Sequence, residues 1–212
     1  MNKYYAGNYS GTIDGMLMPD ESVLWRGRPK KSAFLLNSSA KMAPIAILWL
    51  CIDGFFIFET VAFGAGGGMA FFLVPFFLIH LFPVWTWLYQ IITAFGRWKN
   101  TEYAITDKRI ILRNGLIGYE FNSIYYTDVA GVSVHVGALD HIMGVGDIRI
   151  STVMNPGTSA GNATSILDIE DVQSVFPMLQ KTVLDIQADI HYPNEMRPKT
   201  NPGYTTGYEP YE

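Results

Sequence analysis

The sequence predicts an α+β membrane protein: a two-helix transmembrane hairpin, then an antiparallel β-barrel or sandwich followed by a C-terminal α-helix. Three observations predict it. Two apolar runs are each long enough to cross a bilayer, the residues directly behind them switch to strand period, and helical period returns after Asp168.

Of the 212 residues 49% are hydrophobic and 14% aromatic, and the apolar excess is concentrated between Met42 and Phe95. The flanks have ordinary globular composition, the split expected of a membrane segment joined to a soluble part. A net charge of −4 argues against a nucleic-acid binder, which needs a basic stripe to neutralise phosphates. The single cysteine, Cys51, lies inside the first apolar run, so neither an intrachain disulfide nor a thiolate metal cluster can form. The first 41 residues are polar and the first apolar block is too long for a signal h-region, so the membrane segment is expected to be retained.

Residues 1–20, rich in Tyr, Gly, Asn and Ser, are expected to be a disordered tail. Residues 21–41 form a cytoplasmic juxtamembrane segment in which Ser22 to Gly27 can make a short strand and Pro29, Lys30 and Lys31 begin a basic approach to the membrane. The hairpin occupies 42–95, with helices over 42–63 and 69–95 separated by the Gly-rich break at Gly64 to Gly68. Pro75 and Pro83 are tolerated in a membrane helix because neighbouring helices and local adjustment satisfy the freed carbonyls. Arg26, Arg28, Lys30, Lys31 and Lys41 precede the hairpin; Arg97, Lys99, Lys108, Arg109 and Arg113 follow it; the connection has no basic residue. The positive-inside rule then places both termini in the cytoplasm of a multi-pass plasma-membrane protein. Trp85, Trp87, Tyr89 and Trp98 fall where amphipathic rings settle at the headgroup level.

Residues 97–190 read as the soluble domain. Glu102 to Thr106 and Arg109 to Arg113 form a hairpin turned at Asp107, and further short strands are expected at Gly118 to Phe121, Ser123 to Tyr126, Gly131 to Val136, Asp147 to Val153 and Thr164 to Asp168. Ala138 to Met143 suits a short helical turn. Val172, Val175, Phe176, Leu179, Val183, Ile186 and Ile190 share one helical face. Pro177 either kinks this helix or sits in its first turn with Ser174 as N-cap. Residues 191–212 are expected to be a disordered tail.

W-x-x-T-E-Y-A-I-T-D-K-R-I-I-L-R-N-G, then D-V-A-G-V-S-V, A-L-D-H-I-M-G-V-G-D-I-R-I-S-T and S-I-L-D-I-E-D, together with E-S-V-L-W-R-G-R-P ahead of the apolar hairpin, resemble the bacterial pleckstrin-homology-like (PH-like) domain of membrane proteins. The resemblance runs from about Glu21 to Ile190. It implies a seven-stranded bent sheet closed by a C-terminal helix, held at the cytoplasmic face, and a non-enzymatic role.

Candidate sites follow from individual residues. Gly144-Val145-Gly146-Asp147 lacks a dinucleotide fingerprint and its carboxylate would repel phosphate, so it reads as a turn opening a strand. His135, Asp140 and His141 have no third well-spaced ligand, and no serine lies in a nucleophile elbow. No catalytic residue, cofactor or metal is therefore expected. The basic residues Arg26, Arg28, Lys30, Lys31, Lys41, Arg97, Lys99, Lys108 and Arg109 are candidate contacts for anionic headgroups, though topology alone explains them. Asp53 and His80 are ionisable residues in apolar helices and fall at similar depth in an antiparallel hairpin, so a hydrogen bond between them is expected. Asn201-Pro202-Gly203-Tyr204 resembles a phosphotyrosine-binding-domain turn motif, with Tyr208 and Tyr211 nearby. The function expected is binding of a protein partner, or self-association, beside the lipid bilayer. The alternatives are an anionic-lipid sensor and an accessory subunit of a membrane transport complex.

Overall fold

The computed structural model describes residues 11–62, Gly68, 70–153 and 164–191. They divide into two compact units, one made of the residues up to Ala33 with those from Asn100 onward, the other of Phe34–Lys99.

In the first unit seven antiparallel strands make two sheets. The first has the order β1 (Val23–Gly27), β2 (Glu102–Thr106), β3 (Arg109–Asn114), β4 (Glu120–Tyr125); the second has β5 (Val129–His135), β6 (Gly146–Thr152), β7 (Ser165–Ile169). A 3-10 turn at Tyr126–Asp128 leads from β4 to β5, yet among the described residues no ladder joins the sheets, so of the barrel and sandwich expected the closed barrel is not formed. Alternation sends Tyr103, Ile105, Ile110 and Leu112 to one face, where they meet Ile148, Ile150 and Ile166 of the second sheet. Helix α6 (Val172–His191) lays Val175, Leu179 and Val183 against the same core. A short helix, α5 (Ala138–Met143), ends at Gly144 in the left-handed conformation, φ 66°, where a glycine meets least strain.

Three expectations change here, and the alternative left open at Pro177 is decided. The two strands expected at 118–121 and 123–126 are one, because Asn122 and Ser123 stay in ladder with Leu112 and Ile111 and no turn interrupts them. The strand ahead of the hairpin is part of the domain: Trp25, Arg26 and Gly27 pair with Ile105, Ala104 and Tyr103. The segment 1–20 is not tail throughout. Ile13–Met16 form a 3-10 turn whose Ile13 is fully buried against Ala104 and Ile111, so β2 is covered on both faces. In α6 the N–H groups of Ser174 and Val175 both donate to the Asp171 carbonyl. The helix therefore starts before Ser174, and Pro177 lies inside it. Pro177 and Gln173, whose carbonyl loses the missing N–H, are both exposed, so water can take the freed acceptor.

In the second unit α2 (Ala43–Ala62) is 20 residues long and by length and composition can cross a membrane. Helix α1 (Lys31–Ala40), read from the sequence as a basic approach, precedes it, with its residues from Phe34 onward in this unit. The second apolar run is not one helix but two, α3 (Ala70–His80) and α4 (Phe82–Asn100), bent by 51° at Leu81. Pro83 explains the break: it has no N–H to continue the ladder, and its ring would strike the carbonyl four residues back. The chain restarts with the Val84 and Trp85 N–H groups on the Leu81 carbonyl, which puts Pro83 in a first turn. The Gly-rich connection, apart from Gly68, and the C-terminal segment after His191, including the Asn-Pro-Gly-Tyr motif, lie outside the described residues.

Candidate functional site

Register determines what the basic residues do. On the outer face of the first sheet Arg26, Ala104, Ile111 and Ser123 lie in one cross-strand row, and Glu102 faces Arg113. Glu102, 7% exposed, gathers three guanidinium groups: Arg26 at 3.6 Å, Arg28 at 3.4 Å and Arg113 at 3.6 Å. Arg26 also meets Asp14 at 2.6 Å, and this pairing holds the Asp14 carboxyl below its usual range. Arg109 donates twice to Glu21, Nε to Oε1 and Nη2 to Oε2 at 3.0 Å each, and further to the Met16 carbonyl and the Ser123 hydroxyl. Burial alone would push the Glu21 carboxyl up. The bonds it accepts from Arg109, the Met18 N–H and the Thr106 hydroxyl outweigh that and hold it low. Lys30 joins Glu170 at 2.8 Å and donates to the Met143 carbonyl.

Of the nine basic residues singled out in the sequence, Arg26, Arg28, Lys30 and Arg109 are thus occupied within the first unit. Lys108, at the β2–β3 turn, and Lys31 are exposed there. In the second unit Lys41 is exposed, Lys99 lies 4.6 Å from the Phe95 ring centre, and Arg97 is half-buried. The sequence could not show this pairing, because Glu102 meets Arg113 through the β2–β3 register, while Asp14 and Glu21 are folded onto Arg26 and Arg109 by the turn and chain ahead of β1.

The structure brings Asp53 and His80 together. His80 Nδ1 and Asp53 Oδ1 are 2.8 Å apart, and the His80 ring lies 5.1 Å from Phe76, stacked, and 5.7 Å from Trp49. Asp53 is 1% exposed, and its second oxygen is buried without a partner. Such a pair ties α2 to α3.

A cleft of about 360 Å³ opens where the second sheet meets the start of α6, lined by Val136, His141, Gly144, Glu170 and the first residues of α6. Beside it Asp147 Oδ1 accepts the Asp168 N–H at 2.9 Å, and Asp168 holds φ 53°, a left-handed conformation that aspartate tolerates better than most residues. Burial pushes the Asp147 carboxyl up. Asp140 Oδ2 accepts the Gly137 N–H, and the Ser174 hydroxyl donates to the Asp171 carbonyl. Among the described residues no group of three or more His, Cys, Asp or Glu is placed to hold a metal ion. This acidic end escaped sequence reading. Its signal was the pair of aspartates in G-V-G-D-I and S-I-L-D-I, which only the β6–β7 register makes neighbours.

Residues 55–183, more than half of the chain, match the family model described as bacterial PH domain. The chain belongs to the bacterial PH domain family. The match begins inside α2, so β1 of this PH domain lies ahead of the matched span. One solved structure to which it is similar is a DUF1696 family protein with a pleckstrin-homology domain from Shewanella loihica PV-4, at 16% identity and a TM-score of 0.28, covering 42% of this chain and 72% of that one. A search of the curated proteins found no match.

Proposed function

We propose that this PH-domain protein is an integral membrane binding protein: α2 and the bent α3–α4 pair cross the bilayer, both termini are cytoplasmic, and the PH unit engages a protein at the inner leaflet without catalysing a reaction. The observation that carries the reading is α2 itself, with Phe55, Phe58 and Val61 59%, 67% and 74% exposed, surface that water would penalise and lipid accepts. The basic residues flanking the hairpin set the orientation. A protein partner is favoured over a lipid headgroup because Arg26, Arg28, Lys30 and Arg109 are engaged with carboxylates of their own unit. The Asp140 carboxylate and the Ser174 hydroxyl are likewise engaged with main-chain groups, which supports binding over catalysis.

The test uses the full chain in native membranes. It should resist alkaline carbonate extraction, and a photo-crosslinker at one or more exposed positions of the PH unit should yield protein adducts. Release by carbonate would remove the anchor. Adducts to lipid alone at every exposed position of the PH unit would replace the protein partner with a headgroup.

A further inference from the structure

The β3–β4 loop, G-L-I-G-Y from Gly115 to Tyr119, carries no charged side chain, and Ile117 at its tip is 97% exposed. The backbone of this loop is tied down on both sides of the tip. A Cβ at Gly115, φ 152°, would collide with the Gly118 carbonyl, so the loop closes tightly on itself. The Asn100 side-chain amide donates to the Leu116 and Gly118 carbonyls at 3.3 and 3.2 Å, one on either side of Ile117. Leu116 and Tyr119 are exposed as well, and the Arg113 guanidinium lies 5.1 Å from the Tyr119 ring centre. Water penalises such a tip whatever covers it, and Asn100 indicates the occupant. Gly27 and Tyr103, Glu102 and Arg113, and Asn114 and Glu120 are paired at one end of the first sheet, the end at which the chain leaves this unit after Ala33 and returns at Asn100. Asn100 is the last residue of α4, directly behind the basic residues Arg97 and Lys99. About 7.5 Å of helix separates it from Phe95, where the apolar run ends, and one headgroup layer of a bilayer is about 5–7 Å thick.

We infer that the β3–β4 loop is a lipid-docking element: Leu116 and Ile117 insert at the headgroup–acyl boundary of the inner leaflet, beside the point where α4 leaves the bilayer. The occupant is the membrane that the chain itself spans. Arg97 and Lys99 mark the headgroup level, and the two hydrogen bonds of Asn100 hold the loop at the residue that follows them. The other end of the same sheet contrasts with this one, since the β2–β3 turn there presents Asp107 and Lys108. This inference rests on the reading of α2 and the α3–α4 pair as membrane-crossing. It goes beyond that reading in giving the PH unit a fixed seat on the lipid surface, from which its other exposed faces meet a protein.

Full-length chain with Cys51→Ser and Ile117→Cys, carrying a nitrobenzoxadiazole fluorophore on the new cysteine, is reconstituted into nanodiscs of phosphatidylethanolamine and phosphatidylglycerol. Its emission should be blue-shifted, quenched by lipids bearing a nitroxide high on the acyl chain, and shielded from aqueous iodide. Lys108→Cys in the same background, labelled at an exposed position of the opposite end of the sheet, should emit as in water, respond to iodide and ignore the nitroxide lipid. Both side chains are exposed, so neither label disturbs the core. Iodide quenching at 117 as strong as at 108, or nitroxide quenching no stronger, would overturn the inference. A photo-crosslinker at 117 that captures protein and not lipid in native membranes would overturn it too. Any of these results in a chain that still resists carbonate leaves the anchor and the protein partner standing, whereas release by carbonate removes the anchor and this docking with it.

Discussion

Glu21 shows how much one side chain can do here. Its side chain is fully buried, and it accepts both arms of the Arg109 guanidinium, so removing its charge leaves a buried cation uncompensated. Glu21→Gln should destabilise the chain by about 3 kcal/mol at neutral pH. The pH dependence has a definite sign. The folded carboxyl lies below its unfolded value, so the stabilisation is complete above the unfolded pKa, about 4.3, and is lost as pH falls through the folded value. Melting curves of parent and variant should therefore converge in acid. Asp147 behaves in the opposite sense. Burial raises its folded pKa, so ionisation penalises the folded state increasingly as pH rises from about 3.9 through the raised value. Asp147→Asn keeps a side-chain oxygen for the Asp168 N–H. It should be more stable than the parent at pH 7 and no different near pH 2; equal stability at pH 7 would mean that the carboxylate is well solvated.

At the scale of elements the membrane-length region is fastened by polarity as well as by packing. The bond between Asp53 and His80 links α2 and α3 beside the stacked ring of Phe76, in surroundings where an orphaned polar group is costly. A cycle of Asp53→Asn, His80→Phe and the double variant, scored by thermal stability in detergent, should show a coupling of about 1 kcal/mol or more. Strictly additive losses would show that the contact contributes nothing. The pair was legible in sequence because an antiparallel hairpin of known length places these two positions at similar depth. The bend at Leu81 was not. Two prolines were visible in that run, and Pro75 remains inside α3 while Pro83 restarts a helix. Which proline is tolerated depends on whether neighbours satisfy the freed carbonyl, a tertiary property.

At the scale of the whole molecule the PH unit is assembled from two stretches of chain separated by the apolar region. A fragment of residues 97–190 lacks β1 and the Ile13 cover, exposing one edge of β2 and the outer face at Ala104 and Ile111. Joining 11–33 to 100–191 through a flexible Gly/Ser linker should give a detergent-free, cooperatively unfolding protein, while 97–190 alone should aggregate or melt markedly lower. Equal stability of the two would show that β1 is dispensable. The proposed topology is checked at Gly68, where an added Cβ meets no atom within 4 Å. Gly68→Cys in a Cys51→Ser background should react with an impermeant thiol reagent in intact cells, and protection of this cysteine would reverse the orientation.

The sequence by itself determined the strand hairpin of Glu102 to Thr106 and Arg109 to Arg113, the inward helical face of Val172, Val175, Leu179 and Val183, and the approach of Asp53 to His80. Each depends on a period or a spacing, quantities that a linear chain carries. Tertiary structure alone decided that Val23–Gly27 joins the first sheet, that Ile13 covers it, and that Asp14, Glu21 and Glu102 occupy the arginines. Those features depend on residues tens of positions apart meeting in register, and register is set by hydrogen bonding and packing across the whole sheet rather than by the local pattern of any one segment.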